Sequence, residues 1–170
     1  MSNKYKVLLS MTPTAWKTKA KEQVKIDKHS LDDVCATQPQ LYMEWASLLA
    51  KAIRFKKETE EEVLQLQAET NLDIRENPKY YKLMPDSKGK LMESAIKAVV
   101  LVNVEVKAAQ KKALVARELA DVMTAIVSSF EQRRTMIKMM GDLWIAEYYS
   151  DTEIKASKQT AMVRKTRKKK

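Results

Sequence analysis

The chain holds one histidine, His29, and one cysteine, Cys35. A zinc centre needs several ligands drawn from Cys, His and carboxylates, and a Ser or Cys nucleophile needs a base beside it. Both chemistries would have to lean on His29, whose setting, Lys28-His29-Ser30, reads as an exposed loop. The two glycines, Gly89 and Gly141, stand far apart. A phosphate-cradling loop needs several close together, so that backbone N–H groups can approach the anion. The expectation is a protein that is not an enzyme and uses no metal or cofactor. A lone cysteine allows no internal disulfide, which suits a reducing compartment.

What remains is charge and rings. Lys and Arg number 32 against 22 Asp and Glu, a net charge of +10. Residues 1–28 carry +5 of it and residues 155–170 carry +8, which leaves −3 for the middle. The C-terminal bases are Lys155, Lys158, Arg164, Lys165, Arg167, Lys168, Lys169 and Lys170. Runs of like charge repel, stay solvated and commonly serve as interaction tails. A polyanion is the natural partner, and each phosphate contact on a single strand weakens binding with salt by a log–log slope of about −0.7. A nucleic acid, an anionic membrane surface and plain solubility all fit such a tail.

A second basic stretch is interleaved with rings. Arg75, Lys79, Tyr80, Tyr81, Lys82, Lys88 and Lys90 surround the turn signals Asn77-Pro78 and Met84-Pro85-Asp86-Ser87. Cations for phosphates and rings for bases are the components of a single-strand site. The other reading is that the two tyrosines only pin a loop onto helices. Arg133, Arg134 and Lys138 make a third cluster. It reads either as a basic patch shared with Lys107, Lys111 and Lys112, or as a solvated helix face with acidic partners one turn away.

The elements that carry these residues must be helices. Two Gly and four Pro in 170 residues are about a third of average usage, too few for the turns of a β fold. Thr12-Pro13 reads as an N-cap and first helical residue for a helix over 13–25. Ser30 and Asp33 are spaced as a capping box for a brief helix near 31–36. A first arm follows over 39–72, with Leu41, Trp45, Leu48, Leu49, Ala52 and Ile53 on one face.

The second arm carries the strongest pattern. Met92, Val99, Val106, Ala113, Ala120 and Val127 recur every seven residues, as do Ala95, Val102, Ala109, Ala116, Met123 and Phe130. A sustained repeat of seven marks a helix that supercoils against others. A second stripe, Ala98, Leu101, Ala108, Val115, Leu119, Val122 and Ile126, widens the apolar arc beyond what one neighbour covers. An unbroken helix over 90–140 would run about 75 Å, well beyond a compact domain's radius of gyration of about 15 Å. Gly141 suggests a kink. The expected fold is therefore all-α: two long helices in an extended antiparallel arm with short N-terminal helices, self-associating. Met92, Val99, Val102, Val106, Ala113, Met123, Val127 and Phe130 are expected in the seam between copies. Three regions follow: a basic segment 1–28, a helical oligomerisation and mediator domain 29–150, and a basic tail 151–170 expected to be disordered. The apolar run Val7–Leu9 is too short for a signal peptide core and nothing approaches a membrane span, so a cytoplasmic protein that binds no membrane is expected.

Leu41-Tyr42-x-x-Trp45, preceded by Ile26-Asp27 and Leu31, is similar to the opening of the first arm in the UvsY-type recombination mediators of tailed phages. So are Asn77-Pro78-x-x-Tyr81-x-Leu83 with Lys90-Leu-Met-Glu-Ser-Ala-Ile96, and Phe130-x-x-Arg133 with Leu143-Trp144 and Tyr149. The resemblance implies ring-like homo-oligomers that bind single-stranded DNA in a bacterial host's cytoplasm. It also implies partners: a RecA-like recombinase to be loaded and a single-stranded DNA-binding protein to be displaced, in recombination, repair and replication. Where that family carries a Lys-Ala-Arg-Leu motif at the end of the first arm, this chain has Gln67-Ala68-Glu69-Thr70. That leaves Arg75–Lys90, Arg133–Lys138 and the tail as the places to hold a strand. A helical scaffold or virion structural protein that packs nucleic acid non-specifically fits the same composition.

Overall fold

The computed structural model describes residues 5–27, 29–84 and 90–145. The chain is all-α, with α1 at Lys6–Leu9, α2 at Pro13–Val24, α3 at Leu31–Glu76, α4 at Glu93–Val102 and α5 at Val104–Ile145. The two long helices, 46 and 42 residues, span about 69 and 63 Å at 1.5 Å per residue. They run antiparallel: Gln38 near the start of α3 meets Phe130 toward the end of α5, and Glu62 meets Lys112 further along.

Local chemistry explains most boundaries. The Thr12 hydroxyl accepts from the Ala15 amide, 3.2 Å, and Pro13 opens α2. Ser30 occupies the N-cap of α3 but its side chain makes no capping hydrogen bond; instead the Asp27 carboxylate takes the His29 amide at 2.9 Å. The two helices expected over 31–36 and 39–72 are one. Pro39 lies inside α3 and withholds an amide from the ladder. The helix nevertheless continues, because Val34, Gln38, Trp45, Ala52, Phe55 and Thr59 form one buried stripe on either side of it. Tertiary packing of that face outweighs a single lost bond.

The second arm, by contrast, is not one helix. It breaks at Asn103, between α4 and α5, although neither Gly nor Pro is present. Asparagine competes for backbone partners and favours caps over helix interiors. Here the Asn103 amide oxygen accepts from the backbone N–H of Glu105 and Val106, at 2.8 and 3.2 Å, and so caps α5. The break lets α4 pack against both α3 and α5. Gly141, where a kink was expected, sits inside an uninterrupted helix.

The heptad seam is filled from within the chain. Val106, Met123, Val127 and Phe130 are buried in the monomer, while Met92 and Val102 are exposed and Val99 and Ala113 are half-buried. One neighbour could not cover the wide arc, and two cover part of it: α3 lies along the first stripe, and α2 lies over α5 around Leu119–Ile126, leaving Leu101 and Val115 of the second stripe exposed. Trp16 and Ala20 of α2 join Leu119, Val122 and Ile126 in the main core. At its centre Trp45 stacks on Phe130 at 5.9 Å and meets the Trp16 ring edge-on at 5.8 Å. The indole N–H groups of Trp45 and Trp16 donate to Gln23 Oε1 (2.9 Å) and the Leu8 carbonyl (3.3 Å). A smaller core of Ile74, Ile96, Val100 and Val106 closes the far end of the arm.

Val106 has no exposed surface, so Val106→Asp should destabilise the chain by about 3–5 kcal/mol, the scale of an unpaired buried charge. Thermal melting followed by circular dichroism checks this; an unchanged midpoint would place Val106 elsewhere than in a folded core. A Cβ added at Gly141 meets nothing within 4 Å. Gly141→Ala should therefore raise stability by about 1 kcal/mol, seen as a higher melting temperature.

Candidate nucleic-acid interface

The basic, aromatic stretch at the far end of the arm is a built turn. After α3 ends at Glu76, the Leu83 amide donates to the Pro78 carbonyl (2.9 Å) and the Lys82 amide to the Lys79 carbonyl (3.1 Å). This nested pair is the Schellman arrangement, which needs a left-handed residue at its end, and Lys82 supplies it at φ 56°. Leu83 and Tyr81 then pack onto the smaller core. The Tyr81 hydroxyl donates to the Asp73 carboxylate, whose other oxygen accepts from the Asn77 amide at 2.9 Å.

The two rings are held differently. Tyr81 pins the turn to α3. Tyr80 stands edge-on to it at 5.0 Å and is 80% exposed, so a base could stack on its face. Lys79 and Lys82 are exposed on either side, and Lys90 is exposed just before α4. Arg75 is engaged in structure. Its guanidinium joins Glu93 at 2.6 Å and Asn71 at 2.8 Å, tying the end of α3 to the start of α4. Lys88 and the tail residues Arg164, Lys165, Arg167, Lys168, Lys169 and Lys170 lie outside the described residues.

The third cluster splits. Arg134 and Lys138 are exposed, at the opposite end of the arm from the turn, whereas Arg133 is buried. A strict seven-residue repeat would have turned Arg134 inward. Beyond Phe130 the buried positions are Arg133, Ile137 and Met140, the 3.6-residue period of an ordinary helix. Arg133 therefore faces α3, donating to Gln38 Oε1, while Gln38 Nε2 donates to the Phe130 carbonyl at 3.0 Å. Burial pushes the guanidinium below its usual value, partly opposed by Cys35. Lys112, proposed as part of the same patch, is paired with Glu62 across the arms at 2.6 Å. Two residues that matter here were not singled out from the sequence. Gln38 left a trace as a polar residue on the Val34–Leu41–Trp45 stripe; Asp73 left none, because its partner is supplied by the fold of the turn.

A scan against models of known protein families, a search of curated proteins and a search of solved structures each find no match to this chain. No group of His, Cys, Asp and Glu among the described residues could hold a metal ion. No helix among them is long and apolar enough to cross a membrane.

Hydrogen bonds from Tyr81 and then Asn77 hold the Asp73 carboxyl below its ordinary 3.8. The same bond to Asp73 pushes the Tyr81 hydroxyl from 10.0 up to about 12. A lowered carboxyl steadies the turn above its unfolded value, and that contribution is lost as pH falls through the lower folded value. A raised phenol contributes below its unfolded value and ceases to as pH climbs through about 12. The Tyr81 ring resonances should accordingly shift with an acid midpoint below 3.8, and the Tyr81 phenol should ionise only at about 12. Tyr81→Phe should abolish the acid shift, and its persistence in that variant would assign the shift to another group.

Proposed function

We propose that this chain is a homo-oligomeric recombination mediator. It binds single-stranded DNA and helps a RecA-like recombinase load while a single-stranded DNA-binding protein is displaced. The observation that carries the reading is the turn at Pro78–Leu83, which holds Lys79, Tyr80 and Lys82 outward on a base anchored by Tyr81 and Leu83. Two cations beside one free ring suit phosphates and a stacked base. The resemblance to the UvsY-type mediators supplies the recombinase and the displaced protein as partners. The basic residues of 155–170 add a sequence-independent electrostatic component.

One such turn is a weak site, and copies in an assembly turn weak sites into avidity. Self-association is placed on surface the chain leaves open. Helix α2 covers α5 only around Leu119–Ile126, and beyond its reach Leu101, Val104, Leu114 and Val115 are exposed, with Leu64 on α3. Exposed apolar side chains that gather into one patch mark contact sites, and Leu64 and Leu114 line one groove between α3 and α5. The same strip favours a second reading, a helical scaffold that packs nucleic acid without strand preference.

Fluorescence anisotropy with labelled oligo-dT at rising salt tests the proposal, alongside sedimentation with and without the oligonucleotide. Binding at low salt that falls by about 0.7 log units per contact per decade of salt is expected, together with a particle larger than 19.6 kDa. No binding at low salt would end the reading, and equal affinity for duplex would transfer support to the scaffold. Lys82→Gly separates charge from folding. Glycine adopts φ 56° without the steric cost of about 1–2 kcal/mol that lysine bears there. Stability should therefore rise while oligo-dT affinity falls.

A further inference from the structure

We propose that the groove between the start of α3 and the end of α5 docks a short acidic peptide that carries an apolar side chain. The groove lies at the opposite end of the arm from the Pro78–Leu83 turn and does not depend on the nucleic-acid reading. Pro39 and Tyr42 form one wall and Ile137 part of the other, with Arg134 and Lys138 beside Ile137. These two cations are exposed and four residues apart, so they stand one turn apart on the same side of α5. Gln38 lines the groove as well, and behind it lies Arg133, 4% exposed.

Arg133 is what distinguishes this place from a solvated helix face. Its acceptor among the described residues is the neutral Gln38 amide, and its Nε has no hydrogen-bond partner. No carboxylate among the described residues pairs with it. A buried cation without a counter-charge is costly to the fold, and its field is weakly screened in the interior. An anion in the groove meets that field from beneath and Arg134 and Lys138 from the side. The single opposing charge in the lining is Glu131, held by the Tyr42 hydroxyl at 3.2 Å.

Charge and shape together favour a peptide. A polynucleotide brings a phosphate with every nucleotide and sets one against Glu131. A peptide can place carboxylates beside Arg134 and Lys138 while an apolar residue rests on Pro39, Tyr42 and Ile137. The walls are mainly apolar, and helical peptides dock in such grooves through side chains three or four residues apart.

The test uses the full chain and a fluorescein-labelled peptide of Asp and Ser with Phe and Leu four residues apart. The control is the same peptide with both apolar residues replaced by Ser. The first peptide should bind and the control at least about tenfold more weakly. Arg134→Glu combined with Lys138→Glu, both at exposed positions, should weaken the first peptide by about tenfold or more and leave its oligo-dT affinity unchanged. Arg133→Met should also weaken it, and the exposed pair keeps the test decisive if that variant folds poorly. No binding of the first peptide overturns the proposal, as does equal binding of the two peptides or indifference to the double reversal. Displacement of the peptide by oligo-dT, with oligo-dT affinity lost in the double variant, assigns the groove to nucleic acid instead. A chain that binds the peptide but not oligo-dT sustains this proposal and ends the one above.

Discussion

The stripe on α5 from Val106 to Phe130 is the constraint from which the rest of the structure follows. It is apolar on too much of its circumference to stand in water, where each exposed Val or Leu forgoes about 1.5–3 kcal/mol of burial. The chain meets most of the constraint internally, leaving Leu114 and Val115 exposed. Helix α3 lies along one side of the stripe and α2 along the other, and Trp45 locks the three together by touching Trp16 and Phe130 at once. The long antiparallel arm exists because α3 must be nearly as long as the stripe it covers. The exposed Tyr80 stands at one end of that arm and the exposed Trp144 at the other.

Helix content, the pairing of two long arms and the start of α2 were legible in the sequence, because each rests on local chemistry or on a period that spans many residues. The partner of the heptad stripe was not legible. Periodicity says that a face is buried and says nothing of what covers it: of the seam expected between copies, Val106, Met123, Val127 and Phe130 are buried within the chain itself, while Met92 and Val102 are exposed. The same limit governs Arg133 and Arg134. Extending the seven-residue repeat past Phe130 turns the wrong arginine inward, and only the drift of a straight helix away from that repeat brings Arg133 under Gln38.

The turn and the break show how few residues set the far end of the arm. Asn103 ends one helix and caps the next, which gives α4 the freedom to cover Ile74 with Ile96 and Val100. The small core so formed is what Tyr81 and Leu83 hold on to. Arg75 and Glu93 brace it from outside. Composition marked this region as basic and aromatic, yet could not divide its residues between structure and surface. The division came from contacts that the fold supplies: Arg75 is tied to Glu93 and Tyr81 to Asp73, while Lys79, Tyr80 and Lys82 stay exposed.

Lys82 and Arg133 share a physical oddity at opposite ends of the arm. Each sits where another residue would be cheaper for the fold: glycine at the left-handed position, an apolar side chain at the buried one. No carboxylate among the described residues pairs with Arg133, whose acceptor is the neutral Gln38 amide. A charge kept in a strained backbone, and a charge kept in a core without a counter-ion, both make sense if an anion completes the site from outside. The two differ in what surrounds them. Lys82 stands beside a free ring in open solvent, which suits a flexible strand of stacked bases. Arg133 lies beneath a concave apolar wall, which suits a side chain that can be buried. The two proposed sites thus stand at opposite ends of the arm, and α3 and α5 frame both.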